Sequence, residues 1–367
     1  MNKFFIEDVE LEYDIDSSDI FSISSSIKDY TVEIEDGPIV KLIESCYQKG
    51  NIAVIDGNVY SLYFEDINLV VDPKDVFIVN AVESNKTVKT AFKLIDFLRI
   101  KKFNKKNKMI VIGGGITQDI GSFVGACYKR GFDWTFIPTT LLAQCDSCIG
   151  SKSGLNYKDS KNQIGMFSPP SEIKINTNFL KTLTQEEIKS GLGEILKVYQ
   201  MAGSHEIDFY LKHIKNAEIN NFSSWKNLIK KSLLIKKSIV EYDELEKDKR
   251  RALNYGHTIG HAIEIISDYK IPHGQAVSIG MYVSNKINNT SNQEIESCLL
   301  DTITDKQFLK FLNLDTMREV LIEDKKSVGE NIMMVWVDYK NSKSTLSYVN
   351  VDKLIKETKN VISSMLS

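Results

Sequence analysis

Between residues 51 and 137, short apolar runs alternate with amphipathic ones. Asn51-Ile52-Ala53-Val54-Ile55-Asp56 and Val76-Phe77-Ile78-Val79-Asn80 read as buried strands bounded by turn residues. From Thr87 to Lys102 the apolar positions Val88, Ala91, Phe92, Leu94, Ile95 and Leu98 recur at helical spacing. A lysine-rich turn, Lys101 to Lys108, leads into the strand Met109-Ile110-Val111-Ile112. That strand runs straight into Gly113-Gly114-Gly115, followed by a helical stretch from Ile120 to Tyr128 and a strand from Trp134 to Ile137. Strand, helix, strand, glycine turn and helix are the grammar of a parallel sheet covered by helices.

After Pro169-Pro170 the pattern changes. Gln185 to Ala202, Ser224 to Glu246 and His257 to Tyr269 are long and helical in period. Two domains are therefore expected: an α/β domain over residues 1–170 and a mostly α-helical one over 171–367. Ile332 to Val337 and Ser344 to Val349 are strand-like pieces without an assigned place. A length of 367 residues also exceeds what one compact core usually serves.

Composition narrows the function classes. At 42% hydrophobic and 26% charged, with a net charge of −3, the chain reads as an ordinary soluble globular protein. No global charge favours nucleic acid or an anionic membrane as partner, and no apolar run approaches the length of a membrane span. The N-terminus is too acidic and too briefly apolar for a signal peptide. Five scattered cysteines fit reduced thiols in the cytoplasm. Cys145-Asp146-Ser147-Cys148 has the spacing of a metal or redox pair, but no second pair exists to complete a tetrahedral site.

Three regions could carry chemistry. Glycines at a strand end let backbone approach a phosphate, and the helix that follows offers free N–H groups. Gly113-Gly114-Gly115 is not the standard dinucleotide fingerprint, so a plain structural turn stays open, as does a dipole-compensating role for Asp119. Residues 129–162 mix Lys129, Arg130, Asn156, Lys161 and Asn162 with small residues, which suits either a sugar phosphate or a solvated loop. Lastly, His257, His261 and His273 fall within seventeen residues, while the chain has five histidines in all. His257 and His261, at i and i+4, share a helix face and could reach one metal ion. Glu194 could add a carboxylate, or form with Lys197 an ordinary surface ion pair.

Read together and in order, these motifs resemble the 3-dehydroquinate synthase family. The resemblance is carried by Gly113-Gly114-Gly115 with Asp119, Arg130-Gly131, Pro138-Thr139-Thr140-Leu141-Leu142-Ala143-Gln144 and Lys161-Asn162. It continues through Phe179-Leu180-Lys181-Thr182-Leu183, Gly193-Glu194 with Lys197, Leu253 to Glu264, and His273-Gly274-Gln275-Ala276-Val277. It implies a Rossmann-like N-terminal domain, a helical C-terminal domain, NAD, a divalent metal (zinc, or cobalt) and a homodimer. It implies a small sugar acid phosphate as substrate. The reaction would be a transient oxidation by NAD, loss of phosphate, return of the hydride and an aldol closure.

The same resemblance assigns roles. Glu194, His257 and His273 would hold the metal, with His261 in proton transfer nearby. Gly114, Gly115, Asp119, Thr139, Thr140 and Asp146 would line the cofactor, with Glu83 and Lys86 at its adenosine end and Lys161 between cofactor and substrate. Arg130, Lys152, Asn162 and Lys197 would serve the substrate, mostly its phosphate. Lys236, Arg250 and Asn254 would surround its carboxylate, and one lysine of Asp324-Lys325-Lys326 would also reach it. Intact Lys236, Arg250 and Asn254 favour a carboxylate-bearing substrate over the neutral sugar phosphates of related cyclases. The phosphate-binding lysines argue against a metal-dependent polyol dehydrogenase. Departures are Val82 and Gln118, where glycine is usual, and Ser151 and Ser153 around Lys152. The tail after residue 330 also departs, lacking the expected Gly-containing ending.

Overall fold

The computed structural model describes residues 1–15, 18–158, 160–214, 222–323 and 327–366. The chain forms two compact units. One comprises Asp16–Leu183 and Ala217–Leu233. The other comprises Met1–Ile15, Thr184–Asn216 and Leu234–Ser367.

The first unit is built on a seven-stranded sheet. Its order is Ile20–Ile23, Tyr30–Glu35, Glu172–Asn176, Trp134–Pro138, Met109–Gly113, Ile52–Asp56 and Val76–Val79. All neighbours run parallel except the edge strand Ile20–Ile23, which is antiparallel. Every residue of Met109–Gly113 and Trp134–Pro138 is buried, as expected for strands covered on both faces. Ile52–Asp56 has its following strand on one side and Met109–Gly113 on the other, so the strand order reverses there. The glycine turn leaves the sheet at this switch point, where open α/β sheets bind their ligands.

The helices agree with their predicted periods but not always with their predicted ends. Val88–Ile100 is N-capped by the Thr87 side chain, which accepts from the backbone N–H of Thr90. The helix after the glycine turn begins at Gly115 and runs to Cys127, a turn earlier than its apolar residues indicate. Phe222–Tyr242 stops before Glu246, because Asp243 draws the backbone N–H groups of Lys247, Asp248 and Arg250 into a loop. His257–Ile266 stops before Tyr269, where Asp268 and Tyr269 both adopt positive φ.

The second unit is mainly helical but also holds a sheet absent from the sequence reading. Its order is Ser327–Val328, Asn331–Asp338, Lys343–Asn350, Asn2–Ile6 and Val9–Tyr13. The two unplaced strand-like pieces thus pair with each other, and the N-terminal strand pairs parallel to Lys343–Asn350. This differs from the boundary expected at 170. Glu172–Asn176 lies between two strands of the first sheet, and residues 1–15 join the second unit. Ile259, Ile263, Ile279, Met334 and Leu354 are among its core residues. Among the described residues no helix is long and apolar enough to cross a membrane.

Candidate functional site

Glu194, Lys197, His257, His261 and His273 all belong to the second unit. Glu194 and Lys197 lie mid-way along Gln185–Ala202, whose start is fixed by a Thr184–Glu187 capping box. His257 and His273 are the first residues of His257–Ile266 and His273–Ile287. Glycines let the helix backbones meet. A Cβ at Gly193 would stand 2.1 Å from Gly274 O, and one at Gly274 only 1.7 Å from Ser190 O. The neighbours Glu194 and His273 are thereby brought together.

Three acceptor atoms converge. Glu194 Oε1 lies 3.1 Å from His273 Nε2 and 3.7 Å from His257 Nε2. The other nitrogen of each ring is already engaged. His257 Nδ1 is 3.1 Å from Tyr255 O, and His273 Nδ1 is 3.0 Å from Glu264 Oε2. A carbonyl and a carboxylate only accept, so each Nδ1 carries the hydrogen. In the neutral rings both Nε2 lone pairs then face Glu194 Oε1, a buried oxygen that accepts no hydrogen bond of good geometry among the described residues. Ligands about 2.0–2.1 Å from a tetrahedral zinc stand about 3.3 Å apart, and the two observed separations bracket that value. The donor set therefore fits a divalent cation. Donor atoms of His261 also lie within 4.8 Å of those of His257 and His273, so geometry alone leaves a third nitrogen in reach.

Electrostatics point the same way. Burial would depress His273, yet its contacts with Glu194 and Glu264 push it up to about 10. The two carboxylates call for positive charge at this ring, which a proton or a divalent cation can supply. His257 is held well below its ordinary value by burial, Lys197 and the neighbouring rings. Glu194 stays ionised, because Lys197 and His273 outweigh its burial. Lys197 donates to Glu194 Oε2, and both side chains are almost fully buried. The pair is not the surface ion pair that spacing alone allowed.

Lys236 and Arg250 are buried in the same unit. Arg250 donates to the carbonyl of Glu244, while Asn254 donates to Glu246 Oε1 at 3.1 Å. Lys325 and Lys326 lie outside the described residues.

The first unit gathers most of the expected cofactor residues. Gly114 is the N-cap of Gly115–Cys127, and no side chain caps it. A Cβ there would meet Thr140 Cγ2 at 3.0 Å, while Thr139 N donates to Gly113 O at 3.0 Å. Asp146 sits in the following turn, Ala143–Ser147. Asp119 Oδ2 accepts from Lys86 Nζ at 3.1 Å and Oδ1 from Gly154 N at 3.1 Å. Lys86 also donates to Asn162 Oδ1 at 2.6 Å and lies 3.5 Å from Glu83. Burial pushes Asp119 up to about 6 even against Lys86. Lys152, Lys161 and Asn162 share one hairpin, Lys152–Tyr157 with Ser160–Phe167.

Arg130 is not brought to this group. It is exposed just beyond Cys127, roughly 20 Å along the helix from Gly114. Gln118 fills the place where glycine was expected. It donates to Ser147 O at 2.8 Å and accepts from Ser147 Oγ at 2.9 Å. The thiols of Cys145 and Cys148 are buried and donate to the carbonyls of Leu142 and Gln144. Sequence reasoning gave no role to Glu264, Glu246 or Tyr255. Glu264 alone had a signal, standing three residues after His261 on the same helix face.

Residues 76–190 match the family described as 3-dehydroquinate synthase N-terminal, and residues 191–327 match 3-dehydroquinate synthase C-terminal. A 3-dehydroquinate synthase of Streptococcus mutans is 35% identical, over 84% of this chain and 91% of its own length. This chain belongs to the 3-dehydroquinate synthase family. One from Pelagibacter ubique is 37% identical, over 77% of this chain and 81% of its own length. The fold is shared with a 2-epi-5-epi-valiolone synthase of Streptomyces hygroscopicus, solved with NAD+ and Zn2+. That likeness has a TM-score of 0.75 and 23% identity, over 93% of this chain and 99% of that one.

Proposed function

We propose that this chain is a 3-dehydroquinate synthase, a phosphate-eliminating carbon–oxygen lyase that converts the seven-carbon ulosonic acid phosphate DAHP into 3-dehydroquinate. The observation that carries the reading is the convergence of Glu194 Oε1 with two imidazoles whose Nδ1 hydrogens are both engaged. Glu194, His257 and His273 would hold the metal. Gly114, Gly115, Thr139, Thr140, Asp146 and Asp119 would hold NAD, with Glu83, Lys86 and Lys161 beside it. When bound, NAD would take and return a hydride, and the metal would polarise a substrate oxygen.

The chain's own residues supply the rest. Lys197 balances the charge of Glu194 and presents a buried ammonium to an anionic substrate. Arg250 and Lys236 offer cations to the carboxylate, and Asn254 reads a hydroxyl group. Lys152 and Asn162 neutralise and orient the phosphate, whose own oxygens can take the proton that elimination requires. His261, 39% exposed and 4.0 Å from Glu264, is placed to pass protons. Arg130, Lys325 and Lys326 are assigned to substrate by family resemblance, which also supports a homodimer in the cytoplasm.

The test is phosphate release. Purified protein with zinc should release phosphate from DAHP in an NAD-dependent way without accumulating NADH. Inertness to DAHP with turnover of another sugar phosphate would overturn the substrate. Net NADH formation from glycerol would overturn the reaction.

A further inference from the structure

The two imidazoles facing Glu194 are oriented by different devices. His273 gives its Nδ1 hydrogen to a carboxylate, but His257 gives its own to the backbone carbonyl of Tyr255. A backbone carbonyl is aimed only by its peptide plane, so something must hold that plane.

The local backbone shows what does. Tyr255 has φ −53 and ψ 127, and Gly256 has φ 75 and ψ −20. These are the two central residues of a type II turn running from Asn254 to His257. In the alternative type I turn the Tyr255–Gly256 peptide is flipped and its carbonyl points to the other side. Gly256 permits the observed state, since its φ is left-handed, and a Cβ there would meet Met281 Cγ and Val277 O at 2.6 Å. The other central residue is anchored through its side chain. Tyr255 is fully buried, and its hydroxyl lies between two acceptors, Gln200 Oε1 at 3.1 Å and Asn285 Oδ1. Asn285 Nδ2 in turn donates to Gln200 Oε1 at 2.8 Å, and Gln200 is wholly buried.

We propose that the Gln200–Tyr255–Asn285 network positions His257, holding the turn whose carbonyl keeps the hydrogen on Nδ1 and leaves Nε2 open toward Glu194. Tyr255, Gln200 and Asn285 are positioning residues. They act on the orientation and tautomer of one imidazole, and through it on cation affinity, so the inference rests on the metal reading above. Loss of partners that orient a metal-ligating histidine typically costs 10–100-fold in affinity. One step further removed, the loss expected here is about tenfold.

The first measurement needs no metal. Imidazole 15N spectra of the metal-stripped chain should show His257 protonated on Nδ1. Tyr255→Phe and Asn285→Ala should add the Nε2-protonated tautomer. Zinc competition against a chelator should then show about tenfold weaker binding in both variants, with an altered absorption spectrum of bound Co2+. Merely structural roles would lower the melting temperature but leave tautomer, affinity and spectrum as in the parent. That result, in folded variants, overturns the proposal. If Tyr255→Phe fails to fold, Asn285→Ala and Gln200→Leu decide it on the same readouts. A parent chain whose zinc affinity is unchanged by His257→Ala would sink the metal reading itself, and with it the expected effect on affinity. The tautomer spectra would then decide by themselves whether the network orients the ring.

Discussion

The two candidate binding regions achieve specificity by opposite means. In the second unit, buried side chains converge: Glu194 Oε1 and two imidazole Nε2 atoms, each ring tied back by its Nδ1. In the first unit the cradle is mostly backbone, a glycine turn at the end of a buried strand and the N-terminus of Gly115–Cys127. Its charged members, Asp119 and Lys86, pair with each other. A compact cation is recognised by a few lone pairs at fixed distances, so every one of them matters. A long, flexible cofactor is recognised by many weaker contacts, so each should matter less.

That contrast is sharpest in the metal region. His257→Ala or His273→Ala should empty the site of zinc and lower phosphate release about a thousandfold, several kcal/mol of lost polarisation. His261→Ala should retain zinc while losing about a hundredfold in turnover. Equal loss of metal, measured by elemental analysis, would make His261 a fourth ligand. Glu264→Gln should weaken zinc by 10–100-fold, since an amide holds the His273 Nδ1 hydrogen less strongly than a carboxylate.

In the cofactor region the expected effects shrink. Asp119→Asn should raise the NAD dissociation constant about tenfold. Because Asp119 is pushed up to about 6, it is protonated below that pH, so NAD binding by the parent should weaken as pH falls through 6. The stability sign is opposite. The folded state binds this proton more tightly than the unfolded chain, whose carboxyl titrates near 3.8. Stability should therefore fall as pH rises from 3.8 to about 6, and Asp119→Asn should abolish that part of the slope. Smallest is Gln118→Ala, which removes the two bonds to Ser147. It should cost about 1–2 kcal/mol in thermal unfolding and leave zinc affinity unchanged.

Sequence and structure divide the credit unevenly. Apolar periodicity located four of the six parallel strands, among them the one that ends in the glycine turn, and the helix over Gln185–Ala202, because strands buried on both faces and amphipathic helices must show their periods. Motif order identified the family and proposed every ligand. What it could not show was burial. Glu194 and Lys197 three residues apart read equally well as a surface pair, and only the packing of three helices made them a buried one. Asn2–Ile6 carries a strand pattern, yet its parallel partner, Lys343–Asn350, stands more than three hundred residues later in the chain. The Tyr255 carbonyl leaves no trace in side-chain identity at all.

By itself, then, the sequence determined the central strands, the helices that carry the site and the inventory of chemistry, since these are written in local spacing and residue type. Tertiary structure alone decided which oxygen faces which nitrogen and which ring nitrogen carries the hydrogen. It also decided that Arg130 stands a helix length from Gly114. Those outcomes depend on close contacts between helices far apart in the chain, and local periodicity holds no record of them.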